Sequence, residues 1–250
     1  MNVAELYAFG RSTSQGKWYI DTSRIVCRLY FVNRGCASVQ MASEIRELKE
    51  GYFYILPRCS GFSPIDAKDF DHTYFDYYSP RILRPDRIAS GSLSLLGASH
   101  FLRFVNTLLE SGSGGTMHET MQALLQGFLC QAEEKLIDDS FIVTDAVASA
   151  VEHIHAHFAT VSTKELSDRA HLCESYFIRL FRESIGLSPS QYIRARRVLH
   201  AKRLLSEGVS VEEASEACGY QTPSALYKAV LAETGRSPSA LRALSRKEAK

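Results

Sequence analysis

The sequence holds six cysteines, Cys27, Cys36, Cys59, Cys130, Cys173 and Cys218, and no C-x-x-C pair among them. That spacing argues against a zinc cluster and against a disulfide framework, so the thiols are read as reduced. No apolar run approaches the roughly 20 residues of a membrane span, and the N-terminus has no apolar signal core. The expectation is a soluble cytoplasmic protein with no membrane partner. A metal centre on adjacent strands needs ligands such as an H-x-H pair with a nearby Glu. The β-rich part has no H-x-H, and His72 is its only histidine. His153, His155 and His157 alternate, but in a helical stretch, where i and i+2 do not share a face. They are read as solvated or core-edge histidines. No metal, cofactor or catalytic residue is therefore assigned.

Charge is nearly balanced at +1 over 250 residues, but it is unevenly placed. Up to Val143 there are 14 basic against 16 acidic residues, and from Thr144 on 15 against 12. The length suits two domains, and the basic excess lies in the second, as nucleic-acid binding requires. There, residues 162–189 read as two short helices and a tight turn. Ser162 and Glu165 form an S-x-x-E capping box. Leu166, Ala170 and Leu172 supply the apolar side of the first helix and turn. Phe177, Leu180 and Phe181 then recur at helical spacing as a buried face, with Ser175, Ile178, Arg179 and Arg182 opposite. Gly186 stops the helix. A helix anchored by its back and showing Arg and small side chains at its front suits a major groove.

The pattern returns. Ser210 and Glu213 repeat the box at an offset of 48, and Gly235, Ser237 and Pro238 repeat Gly186, Ser188 and Pro189 at 49. Phe177 maps to Leu226, Arg179 to Lys228 and Phe181 to Val230. The second reading face is Pro223, Ser224, Ala225 and Lys228. One helix-turn-helix match is a common accident; two in register with matching caps and stops are not. Residues 144–242 resemble the two-motif DNA-binding domain of the AraC/XylS family of bacterial transcription regulators. The resemblance is carried by Leu166, Ala170, the run 176–181, Gly186, Ser188-Pro189, Tyr192, Arg197, Ala201, Leu204-Leu205, Gly219-Tyr220, Gly235 and Ser237-Pro238. It departs at Val230-Leu231-Ala232, where an aromatic and two basic residues are usual, and at Leu241. The resemblance implies a regulator, activator or repressor, acting on double-stranded DNA, and RNA polymerase as a partner if it activates. It also implies a structural role for Arg197, as an ion-pair or cap residue. An alkyl-transfer repair enzyme carrying a similar module would need an activated Cys; Cys173 and Cys218 read as buried fillers in the two turns.

Residues 1–20 show no clear period. From Ile25 the texture is β-rich: 24–32, a turn at Asn33-Arg34-Gly35, then strands at 37–42, 45–48, 52–56 (stopped by Pro57) and 72–78. Such strands suggest a small barrel. Leu48, Gly51, Ile55-Leu56-Pro57 and the run 72–77 resemble the cupin-like sensor domain that precedes many AraC-type domains. If the barrel holds a small-molecule effector, Arg28, Tyr30, His72, Tyr74 and Asp76, at alternating positions, would line it. After Pro85 the period becomes helical, over 100–109 and 117–137, separated by a Gly/Ser turn at 111–115. Two readings of this helical pair stay open: a cover for the barrel, or the surface of a homodimer. Asp138-Asp139-Ser140 reads as the linker. Val143–Phe158 opens the second domain, and 190–206 forms a helix whose length sets the spacing of the motifs. Along it Arg194, Arg196, Lys202 and Arg203 are either phosphate contacts or a solvated basic face.

The expected class is multidomain α and β. A cupin-like β-barrel with flanking helices (1–137; β-rich 20–85, helical 89–137) precedes an all-α domain (144–245) of two helix-turn-helix motifs joined by a long helix. Function is that of a sequence-specific DNA-binding regulator. Whether an effector controls it, or the first domain only dimerises, the residues leave open.

Overall fold

The computed structural model describes residues 4–16, 25–41, 44–57, 63–79, 83–112, 116–137 and 143–241. The chain divides into two compact units, which meet in sequence at Val143 and Thr144, with Ile25 counted in the second. The linker expected at 138–140 lies outside the described residues.

The first unit is one antiparallel sheet with two helices on it. Its strands are β1 (Glu5–Gly16), β2 (Cys27–Met41), β3 (Glu44–Lys49), β4 (Tyr52–Leu56), β5 (Ser63–Tyr78) and β6 (Ala89–Ser92). They pair in the order β1-β5-β2-β4-β6, with β3 on the far end of β2. The cupin-like barrel thus takes the form of a curled sheet with β1 and β6 at its ends. Alternation sorts its side chains. Cys27, Leu29, Phe31, Phe53, Ile55, Phe75 and Tyr77 face helices α1 (Ala98–Ser111) and α2 (Met117–Leu136). Phe31 is the hub, its ring 5.1 to 6.4 Å from those of Phe53, Phe75, Phe101 and Phe128. The opposite face gathers Tyr30, Val32, Tyr54, Leu56 and Phe70 into a second core.

Three local expectations change. No turn breaks the chain at 33–35: β2 runs through, and the register against β5 shifts between Val32 and Cys36. Gly35 sits in this bulge at φ 73°, where a Cβ would lie 2.3 Å from the Asp69 carbonyl oxygen. A glycine that reads as a turn signal is here a close backbone approach inside a strand. The first residues form a full strand, β1, whose side chains are mostly half-buried or exposed, so no clean period marks it. Gln122 and Gln126 of α2 accept from the Leu6 and Ala4 N–H groups and hold its start. The β-rich region therefore extends beyond 20–85 at both ends, since Ala89–Ser92 is strand as well.

The second unit is helical: α3 (Asp145–His157), α4 (Thr163–Arg169), α5 (Glu174–Ile185), α6 (Pro189–Ser206), α7 (Val211–Ala217) and α8 (Pro223–Thr234). Ser188 begins α6 with a capping box, its hydroxyl accepting from Gln191 N–H and Gln191 returning to the Ser188 N–H. Pro189 follows at the first helical position, where its missing N–H costs nothing. Tyr192 on the first half of α6 packs its ring against Phe181 of α5. Val198, Ala201 and Leu205 on the second half join Ala214, Cys218, Leu226 and Val230 of α7 and α8. One continuous helix thus carries both motifs.

Candidate nucleic-acid interface

Each motif is a short helix, a turn and a recognition helix. Ser162 accepts from the Glu165 N–H at 3.1 Å, while the Glu165 carboxylate meets His153 Nε2 of α3 at 2.6 Å. That contact holds the Glu165 carboxyl below its ordinary range. The second motif has a reciprocal box, with Ser210 and Glu213 bonded through both side chains. The first turn runs from Ala170 to Cys173 and the second from Cys218 to Thr222. The extra residue in the second turn accounts for the offset changing from 48 to 49. Both turns need one left-handed residue, His171 at φ 54° in the first and Gly219 at φ 73° in the second.

Recognition helix α5 buries Phe177, Phe181 and Ile185 and leaves Ser175, Arg179 and Arg182 exposed, with Ile178 half-buried. All four side chains expected to read DNA from the first motif therefore share the outer face of α5. In α8, Leu226 and Val230 are buried, and Pro223, Ser224 and Lys228 are exposed with Ala225 half-buried. Two exposed aromatics that the sequence reading does not name as DNA contacts join these faces: Tyr176, beneath the Arg179 guanidinium at 5.2 Å, and Tyr227, beside Lys228. Leu231 stands exposed where the first motif has Arg182. The one signal for these residues is their position opposite the apolar stripe.

The turn cysteines differ from each other. Cys218 is buried, and desolvation pushes its thiol up to about 11, as suits a filler. Cys173 is exposed rather than buried. It occupies the N-cap position of α5, where the Tyr176 N–H in particular holds its thiol below the usual range. Along α6, Arg194 and Arg203 are exposed and Lys202 half-buried. Arg196 leaves that set: it is 6% exposed, with its guanidinium 5.1 Å over the Phe158 ring. Arg197 is a cap. Its Nε donates to the Phe158 carbonyl at 2.7 Å and its other nitrogen to the Ala159 carbonyl at 3.0 Å, at the end of α3. Of the three alternating histidines, His153 and His157 lie one turn apart with their rings 4.5 Å from each other and tilted by 41°. His155 points elsewhere, to the Tyr192 hydroxyl at 3.0 Å.

In the first unit, Arg28, Tyr30, His72, Tyr74 and Asp76 all come to one face of the sheet, because β2 pairs Arg28 with Asp76 and Tyr30 with Tyr74. Arg28 and Asp76 form an ion pair at 2.8 Å. His72 stacks on Phe70 at 4.4 Å and meets the Tyr30 ring edge-on at 4.9 Å. Burial lowers His72 to about 4 and pushes the Tyr30 hydroxyl well up. Among the described residues no group of His, Cys, Asp and Glu could hold a metal ion, and no helix is long and apolar enough to cross a membrane.

Comparison with known proteins agrees with this geometry. Residues 166–244 match the family model described as a helix-turn-helix domain. The uncharacterized HTH-type transcriptional regulator YobQ of Bacillus subtilis is 25% identical over 211 residues, 80% of each chain. The probable transcriptional regulator LumQ of Photobacterium leiognathi is 28% identical over 180 residues, 71% of this chain and 65% of that one. Among solved structures, ToxT from Vibrio cholerae O395 covers 95% of each chain with a TM-score of 0.56 at 14% identity. A ToxT structure bound to (E)-4-(8-methylnaphthalen-1-yl)but-3-enoic acid covers 98% of each with a TM-score of 0.58 at 12%. At such identity the likeness is one of fold, a β-rich first part and a helical second. Residues 166–244 are thus a helix-turn-helix domain, in a chain similar over most of its length to proteins named as transcriptional regulators.

Proposed function

We propose that both recognition helices read double-stranded DNA in sequence. Ser175, Ile178, Arg179 and Arg182 serve one element of the site, and Pro223, Ser224, Ala225 and Lys228 the other. The observation that carries this reading is the repeat itself: two capped motifs on one shared helix, each with its apolar face buried and its polar face exposed. Arg179 and Arg182 suit guanine, which an Arg fork grips bidentately. In-vitro selection of duplexes by the purified chain tests it. A site of two short elements should emerge, and with about six phosphate contacts affinity should fall about a thousandfold between 50 and 200 mM salt. Binding indifferent to both sequence and salt would remove the reading.

The first unit supplies control. A buried Arg28 beside stacked aromatic rings suits a small molecule with an apolar or aromatic body and an acidic head, which would compete with Asp76 for the guanidinium. The acid bound to ToxT has that chemistry. A screen of such acids by thermal shift checks it, since ligand at 100 times its Kd stabilises by about 2.7 kcal/mol. The second reading, a first unit that only dimerises, is favoured by Phe104 of α1, a large apolar residue that is 52% exposed. A homodimer is part of either reading, and contact with RNA polymerase belongs to it where the protein activates. Dimerisation in sedimentation with no stabilising acid would favour the effector-free form.

A further inference from the structure

Two motifs packed on one helix can still pivot about it. α6 has 18 residues, about 27 Å at 1.5 Å per residue. It fixes how far apart the motifs stand along its axis, while their rotation around it depends on what else joins them. The structure supplies a second connection. α3 belongs with the first motif, through His153 to Glu165 of α4 and His155 to Tyr192. Its last turn carries two carbonyls, of Phe158 and Ala159, and Arg197 spans both with two nitrogens. Carbonyls at a helix C-terminus carry partial negative charge, so a cation is favoured there. The same guanidinium lies 5.8 Å over the ring of Tyr220, in the α7–α8 turn of the second motif. Beside it, Gly219 presses its backbone against the same loop: a Cβ there would sit 1.9 Å from the Ala159 carbonyl oxygen. The first motif uses His171 at its left-handed position; the second requires glycine because Ala159 occupies the space a side chain would need.

We propose that Arg197, clamped between the end of α3 and the Gly219-Tyr220 turn, is a positioning residue that fixes the relative rotation of α5 and α8. It thereby sets the spacing of the two DNA elements that the protein accepts. This rests on the reading that both helices bind DNA. One inserted base pair displaces the second element by about 3.4 Å and about 35°. Clasped motifs cannot follow that change; motifs that pivot can do so in part. The function needs arginine rather than any cation, because two carbonyls and a ring face are served by one planar fork.

The test uses the full chain and fluorescent duplexes carrying the site selected in vitro. One set has the selected spacing, one has a base pair inserted or deleted between the elements, and one has either element scrambled. The wild type should prefer the selected spacing by at least about 30-fold, within the gain that linking two sites affords. Arg197→Ala and Gly219→Ala should bring that ratio below about fivefold, while affinity for single-element duplexes stays within about twofold. Arg197→Lys keeps the charge without the fork and should fall between; it is the variant read if Arg197→Ala does not fold. An unchanged spacing ratio in Arg197→Lys and Gly219→Ala would overturn the proposal. So would parallel losses on every duplex, single elements included, which would make Arg197 a phosphate contact or a general prop. Failure of the wild type to bind any duplex would instead remove the DNA reading beneath it.

Discussion

Arg28 and Asp76 face each other across the central strand pair, Nε to Oδ1 at 2.8 Å, with the Arg28 side chain 4% exposed. A second guanidinium nitrogen reaches Oδ2 at 3.3 Å. Such a pair adds little net stability, because removing both charges from water offsets their attraction, but losing one partner strands the other. Asp76→Ala should therefore destabilise the first unit by about 3–5 kcal/mol, whereas Arg28→Leu with Asp76→Leu should cost far less. Urea midpoints of the two variants decide it. Equal losses would mean that packing, not the stranded charge, sets the cost.

His72 makes the first unit sensitive to mild acid. It is buried between Phe70 and Tyr30, and desolvation lowers it from 6.5 to about 4, against the opposing pull of Asp71. The unfolded chain takes up this proton near its ordinary pKa, and the folded chain only near 4. The contribution is thus complete above about pH 6.5 and is lost as pH falls towards 4, on the order of 3 kcal/mol in all. His72→Gln should flatten the difference in urea midpoint between pH 7.5 and pH 5. A variant as acid-sensitive as the wild type would exclude His72 as the source.

The reciprocal box at α7 allows a smaller, local prediction. Ser210 accepts from the Glu213 N–H at 3.1 Å, and its hydroxyl donates to the Glu213 carboxylate at 2.7 Å. Glu213 is held below its ordinary range chiefly by that hydroxyl. Ser210→Ala should destabilise the second unit by about 1 kcal/mol, and Ser210→Gly by only a few tenths more or less than zero. Thermal melting of the full chain with each substitution checks the order.

The second unit was far more legible than the first, for a physical reason. Caps, stops and the 3.6-residue stripe are local signals, and Ser162, Ser210, Gly186, Gly235 and the Phe177–Phe181 face all lie within a turn or two of what they organise. The five-residue face of Arg28, Tyr30, His72, Tyr74 and Asp76 could also be read, because period-two alternation survives along each strand; which strand pairs with which could not. The sheet hides its other devices in long-range pairing. Arg11 reaches Asp71 at 2.7 Å, and Thr73 donates to Asn106 of α1 at 2.6 Å, bonds that no spacing in the chain announces. β1 carries no signal in the sequence because a half-exposed end strand shows no clean alternation. The Gly35 bulge looked like a turn because both need the same left-handed backbone. Arg196 and Arg197 stand side by side in sequence, and only the packing of Phe158 and Ala159 separates a buried stacking residue from a cap.

The two reading faces should contribute unequally to specificity. α5 offers Arg179 and Arg182, both exposed and one turn apart, with Arg179 propped on the Tyr176 ring at 5.2 Å. A guanidinium held in one orientation is suited to two parallel bonds with guanine, worth about 1–3 kcal/mol of discrimination. α8 offers Lys228 as its one exposed basic side chain, with Tyr227 and Leu231 exposed beside it. An ammonium on a flexible stem is a point charge and discriminates poorly between bases. The apolar neighbours suit thymine methyls, which reward contact without fixing a pattern of hydrogen bonds. Arg179→Ala should therefore relax base preference within one element and leave the other intact. Lys228→Ala should weaken all sequences about equally and lower the salt slope by about 1. Binding of every single-base variant of the selected site by both proteins measures this, repeated at two salt concentrations. If Lys228→Ala erased preference at individual bases while Arg179→Ala kept the whole pattern, the assignment of the two helices would have to be reversed.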